Sequence, residues 1–161
     1  MGREIERKFL VANDDWRDQA GDAKRFAQFY LFADEDRSCR VRITDNASAR
    51  LTLKTGRGIS RGEFEYDIPL EDAEALREAA IGTVIAKTRH LVPNGRHVLE
   101  VDVYHGVLDG LVVAEIELES EDQAFERPDF LGRELTGDPR YLNQSLALHG
   151  RPDEDDDPAE R

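Results

Sequence analysis

Carboxylates and basic residues recur at alternate positions along this chain. Glu4, Glu6 and Lys8 open the series. In a strand, alternate side chains share a face, so these three form one charged ridge. Ile5, Phe9 and, less cleanly, Arg7 take the other face. Two carboxylates and an ammonium on a short ridge can hold a hard divalent cation beside an anion. The pattern then repeats. Arg40 and Arg42 alternate with Val41 and Ile43, and Lys54 shares a face with Thr52, opposite Leu51 and Leu53. Glu63, Glu65 and Asp67 alternate with Phe64, Tyr66 and Ile68, and Lys87 shares a face with Arg89. Glu100, Asp102 and Tyr104 alternate with Val101 and Val103, and Glu115, Glu117 and Glu119 with Ile116 and Leu118.

One such strand is the ordinary solvated face of an antiparallel sheet. The set is less ordinary, because the charges come in same-sign pairs and whole strands are acidic or basic. A sheet curled with its charged face inward makes a tunnel with cationic and anionic walls. Like charges confined there repel unless a ligand and its counter-ions neutralise them. A polyphosphate carrying divalent metal does so, its oxygens meeting Arg and Lys and its metal meeting carboxylate.

The elements that must position these residues are strands near 3–11, 24–34, 37–45, 48–55, 60–69, 82–92, 96–105 and 111–119. Asp45-Asn46 and Asn94-Gly95 read as hairpin turns. Pro69 introduces a helix over 70–80, a second helix is expected over Glu121–Glu126, and a third over Arg140–Leu148 with Gly150 as its stop. The basic, glycine-rich stretch Gly56–Gly62 precedes a strand, so a hairpin tip fits it better than a phosphate loop, with Arg61 able to reach an anion at the tunnel mouth.

The chain has 161 residues, one domain by length and large enough for a real core. The expected division is a domain over 1–150 and an acidic, disordered tail over 151–161. The fold class is mainly β (α+β), an eight-stranded antiparallel barrel with a charged interior and helices packed outside. A formal net charge of -13 argues against nucleic acid and anionic membranes as partners. No apolar run is long enough for a membrane helix, the first residues are charged, and Cys39 has no intrachain partner, so the expected compartment is the cytoplasm. His90, His97, His105 and His149 lack zinc-ligand spacing. The serines lack a nucleophile elbow. Trp16 and Phe26 read as packing residues.

The ordered set of motifs resembles the CYTH superfamily, the triphosphate tunnel metalloenzymes. The pieces are Glu4-x-Glu6-x-Lys8, Arg40-Val-Arg42, Leu51-Thr-Leu-Lys54, Ser60-Arg-Gly-Glu63-Phe-Glu65, Lys87-Thr-Arg89, Leu99-Glu-Val-Asp102, Ala114-Glu115-Ile-Glu117 and Arg140-Tyr-Leu-Asn143, spread over 3–150. The resemblance implies hydrolysis of a linear triphosphate, with inorganic tripolyphosphate the expected substrate because the chain is similar to small bacterial members. It implies phosphate binding by Lys8, Arg40, Arg42, Lys54, Arg61, Lys87 and Arg89, and metal binding by Glu4, Glu6, Glu115 and Glu117. Glu63, Glu65, Glu100 and Asp102 are expected as further ligands or as charge balance. Lys87, Glu117 and Lys8 are the expected catalytic residues, Lys87 stabilising or protonating the leaving phosphate. The expected cofactor is Mg²⁺ or Mn²⁺, two per site. Thiamine and nucleoside triphosphates, adenylate cyclase chemistry and a non-catalytic polyphosphate-binding module remain open, as does an oligomer. Many relatives carry a basic residue near Asn143 that reaches the tunnel; here Arg133 or Arg140 has to serve, or the contact is missing.

Overall fold

The computed structural model describes residues 2–57 and 60–153, and side chains from residue 5 onward within that first segment. The acidic stretch from 154 and the side chain of Glu4 lie outside the described residues. The strands are β1 (Gly2–Val11), β2 (Ala23–Ala33), β3 (Arg37–Thr44), β4 (Ser48–Thr55), β5 (Ser60–Ile68), β6 (Ile81–Asn94), β7 (His97–Tyr104), β8 (Val112–Glu117) and β9 (Leu131–Glu134). The helices are α1 (Leu70–Leu76) and α2 (Asn143–His149).

Eight strands close in the order β5-β4-β3-β2-β6-β7-β8-β1, with β1 returning to β5 and every pair antiparallel. β1 makes the closure. One of its edges pairs with β8 over Glu6–Leu10. The other pairs first with β5 over Gly2–Ile5 and then, near Phe9 and Val11, with the short β9. The turns follow local chemistry. Asp45 and Asn46 have φ of 52° and 56° between β3 and β4, the left-handed region that short polar side chains tolerate. At the β6–β7 turn it is Gly95, with φ of 60°, that supplies the reversal.

Alternation sorts the side chains between wall and interior. Phe29, Val41, Ile43 and Ala49 point outward, and α1 covers them with Ala73, Leu70 and Leu76. Phe9, Val92, Leu99, Val101, Ala114 and Ile116 form a second outer cluster, which Trp16 of a 3₁₀ turn at Asp15–Gln19 covers. Trp16 is thus a packing residue.

α2 takes a different place from α1. Leu146 and Ala147 pack with Tyr30, Ile85, Tyr104 and Val113. The register puts those four on the inward face, continuous with Gln28, Lys87, Asp102 and Glu115. So α2 and the 3₁₀ turn at Pro139–Tyr141 close one end of the barrel with an apolar floor. The expected helix over 140–148 is split by Leu142, which is extended. Asp138 accepts from Arg140 N and so starts the first turn.

The helix expected over Glu121–Glu126 does not form. Ser120 and Gln123 close a turn, Glu119 N donates to Gln123 Oε1 at 2.7 Å, and Phe125 leaves to meet Phe9 edge-on. Six residues offer too few helical bonds to offset nucleation once side chains compete for the backbone. β9 was not legible: Leu-Gly-Arg-Glu has no alternation worth reading, and β1 imposes its extended form. Among the described residues no helix is long and apolar enough to cross a membrane.

Candidate active site

Above the apolar floor the inward face is charged on nearly every strand. β1 brings Glu6 opposite Glu117 and Lys8 opposite Glu115. β7 brings Glu100 opposite Glu115 and, on its other edge, Asp102 opposite Arg89. β2 sets Phe26 opposite Lys87 and Gln28 opposite Arg42. β3 and β4 set Arg40 opposite Thr52, and β4 and β5 set Lys54 opposite Glu63 and Thr52 opposite Glu65. Arg61 lies opposite Glu4. Apart from Glu4, whose side chain lies outside the described residues, the residues singled out from sequence therefore share the inward-facing side of the sheet, with Glu65 and Glu117 at its rim.

At its centre Asp102 is fully buried between two cations. Lys87 Nζ donates to its Oδ2 at 2.7 Å, and Arg89 donates to Oδ1 at 2.8 Å and to Oδ2 at 2.9 Å. Arg89 also donates to Glu100 at 3.0 Å. Burial pushes Lys87 down to about 7; Asp102 opposes this, while Arg89 and Arg42 add to it. Burial would raise Asp102, but Lys87 and Arg89 hold it below its usual value. Asp102 is thus committed to charge balance and has little left for a metal.

Lys8 Nζ lies 3.5 Å from Glu115 and donates to the Tyr141 carbonyl at 3.1 Å, which ties the first strand to the floor. Burial alone would lower Lys8; Glu115 and Glu6 outweigh it, and the ammonium is raised. Burial would raise Glu115, but Lys8, Arg89 and Lys87 keep it well below the usual carboxylate range.

The walls differ in sign. Arg42 is held down to about 9 by burial and then by Arg40 and Arg89, which mark a crowd of cations. Glu100 is raised by burial; Arg89 opposes, and Glu115, Asp102 and Glu117 add to the rise. Glu117 itself is exposed, so it stands at the open mouth. Glu65 also reaches the rim, where Arg50 takes it at 3.2 Å, and Glu63 sits 3.8 Å from Lys54.

Several inner-wall donors lack acceptors among the described residues. Arg40 gives Nη2 to Thr52 at 3.3 Å, but its Nε is buried without a partner, as are Arg61 Nε and Gln28 Nε2. Buried donors without acceptors are rare in folded proteins. Here they are what an incoming anion would satisfy.

Phe26 is not the core-packing residue that the sequence suggests, and Gln28 carries no charge to mark it, yet both lie on the inner face. Phe26 lies under two guanidiniums, Arg42 Cζ at 4.2 Å and Arg89 Cζ at 5.2 Å from its centroid. The signal available was their place at alternate positions with Lys24 and Tyr30, which carries no charge pair. Arg133 and Arg140 both turn to Asp138, at 3.9 Å and 2.7 Å, beside the Tyr141 ring. Asn143 instead accepts from Tyr104 Oη at 2.6 Å.

Among the described residues no group of three or more metal-ligating His, Cys, Asp or Glu converges. Carboxylates face one another in pairs across the inner strands, Glu6 with Glu117 and Glu115 with Glu100. This fits a hard cation such as Mg²⁺, which takes one or two carboxylates and completes its shell with substrate phosphate and water.

This chain is similar to two curated relatives. It is 46% identical over 148 residues to an inorganic triphosphatase of Acetivibrio thermocellus, covering 91% of this chain and 94% of that one. It is 40% identical over 150 residues to an inorganic triphosphatase of Nitrosomonas europaea, covering 90% and 97%. Among solved structures it resembles the inorganic triphosphatase NE1496, with a TM-score of 0.66 and 36% identity over 92% of this chain and all of that one. The family pattern described as the CYTH domain matches residues 2–148, and the chain belongs to the CYTH domain family.

Proposed function

We propose that this protein hydrolyses inorganic tripolyphosphate to pyrophosphate and phosphate inside the barrel. The observation that carries the reading is the opposition, across the closed barrel, of Arg40 and Arg42 on β3 to Glu115 on β8 and its neighbour Glu100. A metal–polyphosphate neutralises both. The two curated relatives, covered almost end to end, support the same substrate.

Divalent-metal dependence goes with membership of this family; the ion we infer is Mg²⁺ or Mn²⁺, two per site. Glu6 and Glu117 would hold it at the mouth, with Glu115 reaching the same face and Glu4 adjoining on β1. When bound, such an ion polarises phosphoryl oxygens and acidifies a water. Arg40, Arg42, Lys54, Arg61 and Arg89 bind and orient the phosphate chain. Phosphoryl transfer needs mainly positioning and charge stabilisation, and a closed wall of fixed cations supplies both. Lys87, close to neutrality and held by Asp102, gives a charge or a proton to the departing phosphate. Lys8 keeps Glu115 ionised. Glu63, Glu65, Glu100 and Asp102 balance charge. The working unit is residues 1–150, in the cytoplasm, with a small-molecule polyphosphate as its partner.

Phosphate release from tripolyphosphate, ATP, thiamine triphosphate and pyrophosphate, each with Mg²⁺ and with Mn²⁺, tests the reading. Tripolyphosphate should give the highest kcat/KM. Preference for a nucleotide, with cyclic AMP as product, would replace hydrolysis with cyclisation.

A further inference from the structure

Gln28 is an inner-wall residue without a part in the scheme above. Its side chain is wholly buried. Oε1 accepts from Arg42 twice, from Nε at 3.2 Å and from Nη2 at 3.1 Å. A guanidinium has no acceptor, so this contact settles which end of the amide is oxygen. The amide nitrogen is then directed elsewhere, and it has no acceptor among the described residues. A buried amide donor left in that state is unfavourable unless a ligand completes it.

Its neighbours say what kind of ligand. Arg40 Nε and Arg61 Nε, on the same inner face, are likewise buried without partners. The unsatisfied side-chain atoms of the wall are all donors, so the missing species is rich in acceptors. Gln28 also marks a border. The next inward residue on β2 is Tyr30, and the residue opposite Gln28 on β6 is Ile85; both belong to the apolar floor. Gln28 is thus the last amide or charged side chain on β2 before the floor.

Resting on the triphosphatase reading, we propose that Gln28 is a further substrate-binding residue. Its Nε2 donates a neutral hydrogen bond to an oxygen of the innermost phosphoryl group, while its Oε1 holds Arg42 in position for the same anion. A neutral donor there adds recognition without adding to the cation crowd around Arg42.

Two variants separate this role from a structural one. Gln28→Met keeps length and removes both contacts. Gln28→Glu keeps an acceptor for Arg42 but has no donor to offer and adds a like charge to the phosphate. Steady-state kinetics on tripolyphosphate with Mg²⁺, and thermal midpoints without substrate, are measured for both and for wild type. The expected result is a KM raised by about threefold to tenfold or more for Gln28→Met, which loses the bond to phosphate and the acceptor that positions Arg42, and a rise also for Gln28→Glu, which loses the donor and adds a like charge. The thermal midpoint of Gln28→Met should fall, because Arg42 Nε and Nη2 lose their acceptor, whereas Gln28→Glu keeps an acceptor for Arg42 and its midpoint should hold or increase. Wild-type KM in either variant, or a KM rise in Gln28→Met that Gln28→Glu does not share, overturns the assignment of Gln28 as a donor to substrate. A wild-type protein that releases no phosphate from tripolyphosphate overturns the triphosphatase reading and this inference with it.

Discussion

Lys87 and Asp102 meet at 2.7 Å with neither side chain exposed to solvent. Two strands that share a hairpin put them there, and Arg89 holds the same carboxylate from the mouth side. An ion pair this deep is costly to assemble and gives little stability. Burial takes Lys87 down to about 7 although Asp102 opposes the shift, which leaves an ammonium near the point of neutrality close to Arg42 and Arg89.

Binding should therefore take up a proton. With burial lowering Lys87 to about 7, it gives up its proton more readily than a free lysine at pH 8.5, and a polyanion beside it would raise its affinity for protons. Calorimetric titration with tripolyphosphate, in buffers of different ionisation enthalpy, should give an uptake of about one proton per site. Lys87→Met should remove it. Equal uptake in both proteins would place the titrating group elsewhere.

The same shift sets a sign for stability. A lysine held below its unfolded value of 10.5 binds its proton less well in the folded state. Its contribution is present above the unfolded value and is lost as pH falls through about 7. Denaturation midpoints at pH 6.5 and pH 9.5 should differ more for wild type than for Lys87→Met. Curves that shift in parallel would dismiss the linkage.

If Arg40 and Arg42 bind phosphate as proposed, Arg40→Ala and Arg42→Ala each remove charge-assisted bonds worth about 1.5–3 kcal/mol. Each should lower kcat/KM by about tenfold to a hundredfold, with the fold intact by circular dichroism. Folded variants with wild-type kinetics would mean that phosphate binds elsewhere.

Glu6→Gln and Lys87→Ala divide metal binding from leaving-group chemistry. Glu6 faces Glu117 at the mouth, and losing its charge should raise the metal concentration needed for half-maximal rate. Lys87→Ala should chiefly lower kcat, because leaving-group charge develops only in the transition state. Metal titrations at saturating tripolyphosphate read both; a metal requirement that moves for Lys87→Ala and not for Glu6→Gln reverses the roles.

Leu146 is fully buried in the apolar floor. Leu146→Ala should lower stability by about 2–5 kcal/mol. A chain ending at Gly150, by contrast, should fold and turn over tripolyphosphate as the full chain does. Urea denaturation of both variants separates the floor from the acidic tail.

Much of this architecture was legible in the residues because a strand's period is local. Arg40-Val-Arg42 or Glu115-Ile-Glu117 tells which side chains share a face whatever the rest of the chain does. Eight strands, their hairpins and the charged interior followed from that, and so did the ridge of Glu6 and Lys8. Partnership was not legible, because it depends on closure. Lys8 meets Glu115 only because β1 lies against β8, and Asp102 is taken from the metal set only because Lys87 and Arg89 both converge on it. β9 and the extended run after Gln123 were set by tertiary pairing that overrode weak local preference. The place of α2 was decided likewise: its apolar side suits any hydrophobic surface, and it is the inward-facing Tyr30, Ile85, Tyr104 and Val113 that draw it to the end of the barrel. Gln28 and Phe26 carry no charge to announce them, and only the closed wall reveals that they hold Arg42. Local backbone geometry dictates faces; only the assembled barrel dictates which of the faced groups neutralise one another and which are left for a ligand.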